Sequence, residues 1–411
     1  MKAQVHLGAD APGGGSTSSH ACRVDRLRLF RFRNYAEETV ALGPGLNVVV
    51  GQNAQGKTNL LEAVATVALT RSPRAGSPGE VIGWGEPACR VTATVVRPEA
   101  ARDVDLTLRR GESDRVVRTV AIDGKEQAAR SVLGLCPVVL FWPEDLQLVK
   151  GGPEGRRRLL NIVLSQIDAR AAEDLLRYGR IVEQRNAMLR MVRERSGGYD
   201  AVEAFTRELI EVGGRVRAAR ARLVRALEPL AADALRELTD GREAIGLRYI
   251  GEGVEDAHAD DADAAASALA ALLDARRAEE IARGVTVAGP HRDDVEFLLD
   301  GRPARSTASQ GQQRSIVLAC KLAEVRHVAG VAGVAPVLLL DDVLSELDAG
   351  RRLRLLAALG AGTGTQALLT TSETAALDLP PDADVCRFTV HAGHVTAVPV
   401  ATSGSAAEAA V

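Results

Sequence analysis

Aromatic rings make up only 3% of this 411-residue sequence, six Phe, four Tyr and two Trp. That scarcity argues against base stacking as the main way of holding a single nucleic-acid strand. Cysteine is scarce too. The five (Cys22, Cys89, Cys136, Cys320, Cys386) are scattered and none forms a CxxC pair, which excludes a disulfide framework and a structural zinc site and fits a reduced, cytoplasmic setting. No apolar run reaches the ~18–20 residues of a membrane span, and the first residues lack a signal-peptide core, so no membrane partner is expected. A dominant sign of charge is also missing. With 51 Lys and Arg against 54 Asp and Glu, the net charge is −3, and an anionic polymer would have to find a local basic patch. Lysine is rare, five residues against forty-six Arg. What remains, 46% hydrophobic and 26% charged, describes a soluble globular chain long enough for two domains.

Against that background Lys57 stands out. It lies in Gly51-Gln52-Asn53-Ala54-Gln55-Gly56-Lys57-Thr58, which fits G-x-x-x-x-G-K-[ST]. The apolar run Leu46–Val50 before it suits a buried strand, and Asn59–Ala65 after it has apolar residues at helical spacing. Gly51 and Gly56 let the backbone turn tightly, so that successive N–H groups and a helix N-terminus surround a polyphosphate. Lys57 would reach the β/γ-phosphates and the Thr58 hydroxyl would ligate Mg²⁺. A glycine-rich turn that matches by chance is the bland alternative, and the strand–loop–helix context argues against it.

A second constellation lies far along the chain. Pro336–Asp342 is an apolar strand ending in Asp341 and Asp342; the first carboxylate would hold the Mg²⁺ shell and the second would polarise an attacking water. Two acids at a strand end are by themselves of modest specificity, since they also suit a helix cap. Upstream, Ser309-Gln310-Gly311-Gln312-Gln313-Arg314 opens a long helix through about Val328. Ser309, Gly311 and Gln312 there offer a hydroxyl, bare N–H groups and the helix dipole to an anion.

In chain order, residues 1–21 are Gly/Ser-rich and expected to be disordered, as is the small-residue tail 401–411. Arg23–Arg33 is a strand with a basic face. It is either an edge strand kept soluble by charge or one whose end, Arg33 and Asn34, lies beside the nucleotide. Val91–Val96, Val104–Arg109 and Arg115–Ile122 alternate like an antiparallel lobe, with Asp123-Gly124 as a hairpin turn. Val138–Trp142 is a further buried strand. From Gly155 to about Leu227 long helices are expected, broken at Ser196-Gly197-Gly198 and Gly213-Gly214. Between Arg156 and Arg225 there are sixteen Arg, nine Asp or Glu and no Lys, read as a solvated face or as a groove for a DNA backbone. A helix near Ser267–Arg283, capped by Ser267, leads to strands Thr286–Ala288 and Val295–Leu299. The expected organisation is an α/β phosphate-loop head (22–150 and 284–400) with an antiparallel β-lobe and an inserted helical arm (151–283).

Together these residues resemble the ABC-type ATPase head. That resemblance puts Ser309–Gln312 at the signature, which completes the site around ATP held by a second protomer. It puts Asp348 at the D-loop, Gln147 at the Q-loop and Thr371 at the switch position, and it makes hydrolysis depend on dimerisation. The finer resemblance is to the RecF family. It is carried by Phe32-Arg33-Asn34-Tyr35, Gly51–Ala63, Ala288–Asp294 with Ser309–Arg314, and Leu338–Asp348, over about 32–348. Phe141–Leu146 also looks like that family's entry to the helical arm. The family implies ATP- and Mg²⁺-dependent DNA binding, and work with RecR and RecO at gaps or single-strand–duplex junctions to load recombinase in repair, replication restart and the SOS response. It also implies a short helical arm.

Three departures qualify the carry-over. Ala54 stands where Gly is common. Asp342 stands where transporter-type ATPases mostly carry Glu, although RecF proteins share the Asp; its shorter reach implies slow, weak hydrolysis. Thr371 stands where a switch His would be. The His and Arg of Gly289–Asp294 are read either as a structural turn or as facing DNA or nucleotide. The competing functions are an ABC-transporter ATPase subunit and a non-hydrolytic ATP-gated clamp or scaffold.

Overall fold

The computed structural model describes residues 21–112, 115–253, 258–346, 350, 352, 365–372 and 385–398. The expected tails lie outside that set except for Ala21, and so does Asp348.

The first half alternates in sequence and therefore in space. In β1 (Arg23–Phe32), Val24, Leu27, Leu29 and Phe32 turn inward while Arg26 and Arg28 face water; an irregularity between Val24 and Arg26 resets the period. β1 is not an edge. It is flanked by β2 (Tyr35–Ala41) and β4 (Ala88–Val96) in a six-stranded antiparallel sheet of order β2-β1-β4-β5-β6-β7. There β5 is Ala101–Arg110, β6 Val116–Ile122 and β7 Lys125–Gln127. The Asp123-Gly124 turn joins β6 to β7, with both residues at positive φ, as a two-residue hairpin demands.

The second sheet is mostly parallel. β3 (Leu46–Val50), β8 (Val138–Phe141), β12 (Val337–Asp341), β13 (Ala367–Thr371), β14 (Val385–His391) and β15 (His394–Val398) run in the order β15-β14-β3-β13-β12-β8, with only β15 antiparallel. Its inner strands are mostly apolar because both faces are covered, with Asn47 of β3 buried among them. Val49 joins a core with α1 (Lys57–Ala68) and the inward residues of β1 and β4, whereas its neighbour Val48 joins the core on the opposite side. α1 is thus sandwiched between the two six-stranded sheets.

The helical region departs from expectation in three places. After α2 (Pro153–Ile167) and α3 (Ala169–Arg193), α4 (Asp200–Thr239) runs unbroken for 40 residues through Gly213-Gly214. Those glycines are packing positions. A Cβ on Gly213 would meet Leu269 at 2.7 Å and one on Gly214 the Ala262 carbonyl at 2.6 Å, because α5 (Ala262–Ala275) crosses there. Asp261, not Ser267, caps α5, its carboxylate accepting from the Asp263 and Ala264 N–H groups. Beyond α6 (Arg277–Arg283), Thr286–Ala288 is not a strand: the N–H groups of Thr286 and Val287 go to the side chains of Asn186 and Glu280.

A small antiparallel sheet, β9 (Ile245–Ile250), β10 (Asp294–Leu299) and β11 (Arg302–Pro303), crosses the anticipated boundary at residue 283. After α7 (Ala304–Thr307), α8 (Gln310–Ala332) packs on the parallel sheet. The carboxyl-terminal half of α4 shares α8's core, while Leu209, Val212 and Val216 of its first half form a separate one with α3 and α5.

Candidate nucleotide site

The parallel register sets the site. Val50 lies opposite Thr371 and Asp341 opposite Thr370, so the ends of β3, β13 and β12 meet at one carboxyl edge, where open α/β sheets bind ligands. The Gly51 N–H donates to the Thr371 carbonyl at 3.3 Å. A Cβ on Gly51 would stand 2.5 Å from the Val390 carbonyl, and Gly56 has φ +117°; both positions exclude other residues.

Lys57 and Thr58 open α1. The Lys57 ammonium donates to the Gly51 and Gln52 carbonyls at 2.6 and 3.0 Å. Burial lowers its pKa, against the attraction of Asp342 and Asp341. The Thr58 hydroxyl lies 2.9 Å from both carboxylate oxygens of Asp341. Asp342 follows at φ +50°, an uncommon conformation of the kind that collects at functional sites. Thr370 links the two acids, its hydroxyl donating to Asp341 at 2.7 Å and accepting the Asp342 N–H at 2.9 Å. Sequence reasoning passed over Thr370 for its neighbour Thr371; only the strand register singles it out.

The loop is braced from outside. Asn34 donates to the Gln55 carbonyl at 2.9 Å and accepts from Asn59 at 2.8 Å, and the Tyr35 hydroxyl donates to the Gly56 carbonyl at 2.9 Å. The N–H of Ala392, in the β14–β15 turn, donates to the Gln55 side chain at 2.7 Å. Gln52, Asn53 and Ala54 form the exposed crest, with Ala54 at φ +64°. That left-handed backbone is the physical reason glycine suits this position.

Other candidates lie around this centre or apart from it. Arg33 points at Glu62, which is fully buried, with paired hydrogen bonds of 3.0 and 2.6 Å and a third to the Glu80 carbonyl at 2.7 Å. Its charge is neutralised there rather than at the loop. Gln147 is exposed at the end of a 3-10 turn after β8, on the same sheet edge as Asp341. Ser309 caps α8: its hydroxyl accepts the Gln312 N–H, while the Gln312 side chain accepts the Ser309 N–H at 2.8 Å. Ser309 and Gln310 are exposed at the start of a 23-residue helix.

His291, Asp293 and Asp294 of the Gly289–Asp294 segment are held within the fold, while Arg292 is exposed. Asp293, buried, accepts from the Nη2 and Nε of Arg217 at 2.7 and 2.8 Å and from the Tyr249 hydroxyl at 2.7 Å, while Asp294 accepts from Arg156. His291 bridges the Tyr178 hydroxyl and the Thr286 carbonyl. The arginines of the helical region divide: Arg156, Arg185, Arg217 and Arg220 are buried and bonded within the fold, while most of the others, Arg177, Arg190 and Arg222 among them, are exposed, as a solvated face or a groove would have them.

The RecF/RecN/SMC N terminal domain family model matches residues 23–387. The DNA replication and repair protein RecF of Symbiobacterium thermophilum is 42% identical over 374 residues, 90% of this chain and 97% of that protein. The protein of the same name from Shouchella clausii is 39% identical over 375 residues, 90% and 98%. A solved structure described as the recombination mediator protein RecF with ATP, in the RecFOR pathway, superposes with a TM-score of 0.80 at 27% identity, covering 94% of this chain and all of that one. The Smc head domain of Pyrococcus furiosus, at 15% identity and TM-score 0.51, shares the fold.

Proposed function

This chain belongs to the RecF family, within the RecF/RecN/SMC N-terminal domain family, and from that premise we propose that it is an ATP-gated DNA-binding protein of replication and recombinational repair. The observation that carries the reading is the convergence of Lys57, Thr58 and Asp341 at one edge of the parallel sheet.

The loop N–H groups and the start of α1 bind the triphosphate, and Lys57 exchanges its carbonyl partners for β/γ-phosphate oxygens. The residues fit Mg²⁺: a hydroxyl and a carboxylate sit within hydrogen-bonding distance of each other, the sparse all-oxygen donor set that this ion prefers. Thr58 and Asp341 would hold it, and it would supply positive charge to the β- and γ-phosphates. Asp342, anchored through Thr370, orients water for attack on the γ-phosphate. Its short side chain and the absence of a histidine at Thr371 favour slow turnover.

The exposed start of α8 presents Ser309, Gly311 and Gln312 to ATP on a second protomer, so nucleotide closes a homodimer. That dimer binds gapped duplex or a single-strand–duplex junction, largely through phosphate contacts, and works in the cytoplasm with partners of the RecR and RecO kind. The transporter reading is disfavoured by Asp342 and Thr371.

Filter binding of a gapped duplex across a salt series, with and without ATP and Mg²⁺, tests the reading. Affinity should rise with ATP, fall steeply with salt and be ATP-independent in Lys57→Ala. A protein that stays monomeric by sedimentation at saturating nonhydrolysable analogue and magnesium would overturn it. Asp342→Asn separates the clamp that never hydrolyses: there it traps dimers with no loss of turnover.

A further inference from the structure

A cavity of about 750 Å³ opens at the far end of α1 from the phosphate loop. The segment 69–78, β6 and the helices α2 and α3 form its walls. The 12 residues of α1 separate it from Lys57 by about 18 Å. Arg71, Arg118, Arg157, Arg158 and Arg220 line it, and Glu154 is the only carboxylate among the lining residues.

Arg118, Arg157 and Arg220 are held differently from the carboxylate-paired arginines of the helical region. Arg156, Arg217 and Arg215 each grip a carboxylate through two nitrogens. In the cavity, neutral acceptors do the holding. Arg118 donates to the Thr70 carbonyl at 2.9 Å, Arg157 to the Asp293 carbonyl at 2.9 Å, and Arg220 to the Asn161 side chain at 2.8 Å and the Pro290 carbonyl at 2.6 Å. Carbonyl oxygens orient a guanidinium without cancelling its charge. Burial, and after it the neighbouring Arg220, works against the charge on Arg157, while Asp294, Glu154 and Asp293 favour it; Arg71 and Arg118, both exposed at the cavity, repel one another. Like-charged forks around an open volume attract an anion, and planar forks match phosphate oxygens. The volume is that of a small-ligand pocket and not of a groove that tracks a duplex.

We propose that this cavity binds a nucleotide phosphate, free or at the end of a DNA strand, at a site separate from the phosphate loop. The strand-end form rests on the DNA-binding reading above, and the free form does not.

The test compares the intact protein with Arg71→Gln/Arg118→Gln, with affinity for a fluorescent ATP analogue as the check that the variant is folded. In one arm, gapped duplexes differ only in carrying a 5′-phosphate or a 5′-hydroxyl at the gap. In the other, inorganic pyrophosphate is titrated in a thermal-shift assay against Lys57→Ala, whose phosphate loop is disabled. A preference of about tenfold for the phosphate end that the double variant erases, with a shallower salt slope, assigns the strand end. A rise in Tm with pyrophosphate, absent once Arg71→Gln/Arg118→Gln is added, assigns a free nucleotide. Neither effect, or effects that survive the double variant, overturns the site. Absence of DNA binding under every nucleotide condition would sink the proposed function and the strand-end form, leaving the pyrophosphate arm to decide the cavity. The charge-keeping Arg71→Lys/Arg118→Lys should recover part of whichever effect is seen.

Discussion

The Thr58 hydroxyl lies 2.9 Å from both carboxylate oxygens of Asp341, across 283 positions of sequence. One hydrogen-bonded contact joins the first turn of α1 to the end of β12. The relation exists because β3, β13 and β12 run parallel, which delivers three chain ends to the same edge. Thr370 completes it from the strand between them.

Thr370→Val keeps the side chain's shape and removes the hydroxyl. It leaves the Asp342 N–H without its acceptor and Asp341 without one donor. The expected loss of unfolding free energy is about 1–3 kcal/mol, measured by urea denaturation. ATP turnover should fall more than ATP affinity, because the group released is Asp342, whereas Lys57 and the loop are untouched.

Arg33 and Glu62 form a pair with one member fully buried. Arg33→Ala leaves that carboxylate with the Ser72 hydroxyl and the more distant Arg74 guanidinium at 4.0 Å, and should destabilise the protein by about 1.5–3 kcal/mol, the worth of hydrogen bonds to a charged group, with nucleotide affinity little changed. Arg33→Met/Glu62→Met should restore most of the stability. If Arg33→Ala instead left stability intact and abolished nucleotide binding, Arg33 would be a ligand to ATP, as its place in the sequence motif implies.

Ala54→Gly relieves the left-handed strain of the loop crest, about 1–2 kcal/mol for an L-residue, less the ~0.4–1 kcal/mol that glycine's freedom costs in the unfolded chain. A net gain of about 0.5–1 kcal/mol should appear as a higher midpoint in denaturant. A decrease would show that the loop conformation is not limited by the Ala54 side chain.

His291 sets a pH dependence. Burial pushes its imidazole below the ordinary 6.5, with Arg292 and Arg157 acting the same way and the Thr286 carbonyl and Asp293 opposing. The unfolded chain therefore takes up the proton first. The contribution is fully present above about pH 6.5 and is lost as pH falls below it, by at most about 1.4 kcal/mol per pH unit. His327 shifts in the same direction, so the measurement is a difference: between pH 7.5 and 5.5, His291→Gln should lose less stability than the unaltered protein. An equal loss would show that His291 does not titrate in this window.

The contiguous parts of the site were legible before any coordinates. Gly51–Thr58 between an apolar run and a helix, the strand ending in Asp341 and Asp342, and the long helix opened by Ser309–Arg314 all declare themselves through local spacing. The helical region misled for the same reason. Gly213-Gly214 has breaker composition, yet it lies inside α4 because α5 presses its backbone there. Sixteen arginines over 156–225 carry no label that tells those gripping Asp293 or Glu280 from those left facing the cavity. Thr286–Ala288 has strand composition, but its N–H groups find side chains instead of a neighbouring strand.

The sequence by itself determined the phosphate loop, the acidic strand end, the long helix that Ser309–Arg314 opens and membership of the family, because each is a local pattern with a local cause. Tertiary structure alone decided which charges are cancelled and which are kept. A carboxylate neutralises an arginine only when the fold brings it within hydrogen-bonding reach. For Arg217 and Asp293 that reach spans 76 positions, and for Thr58 and Asp341 it spans 283.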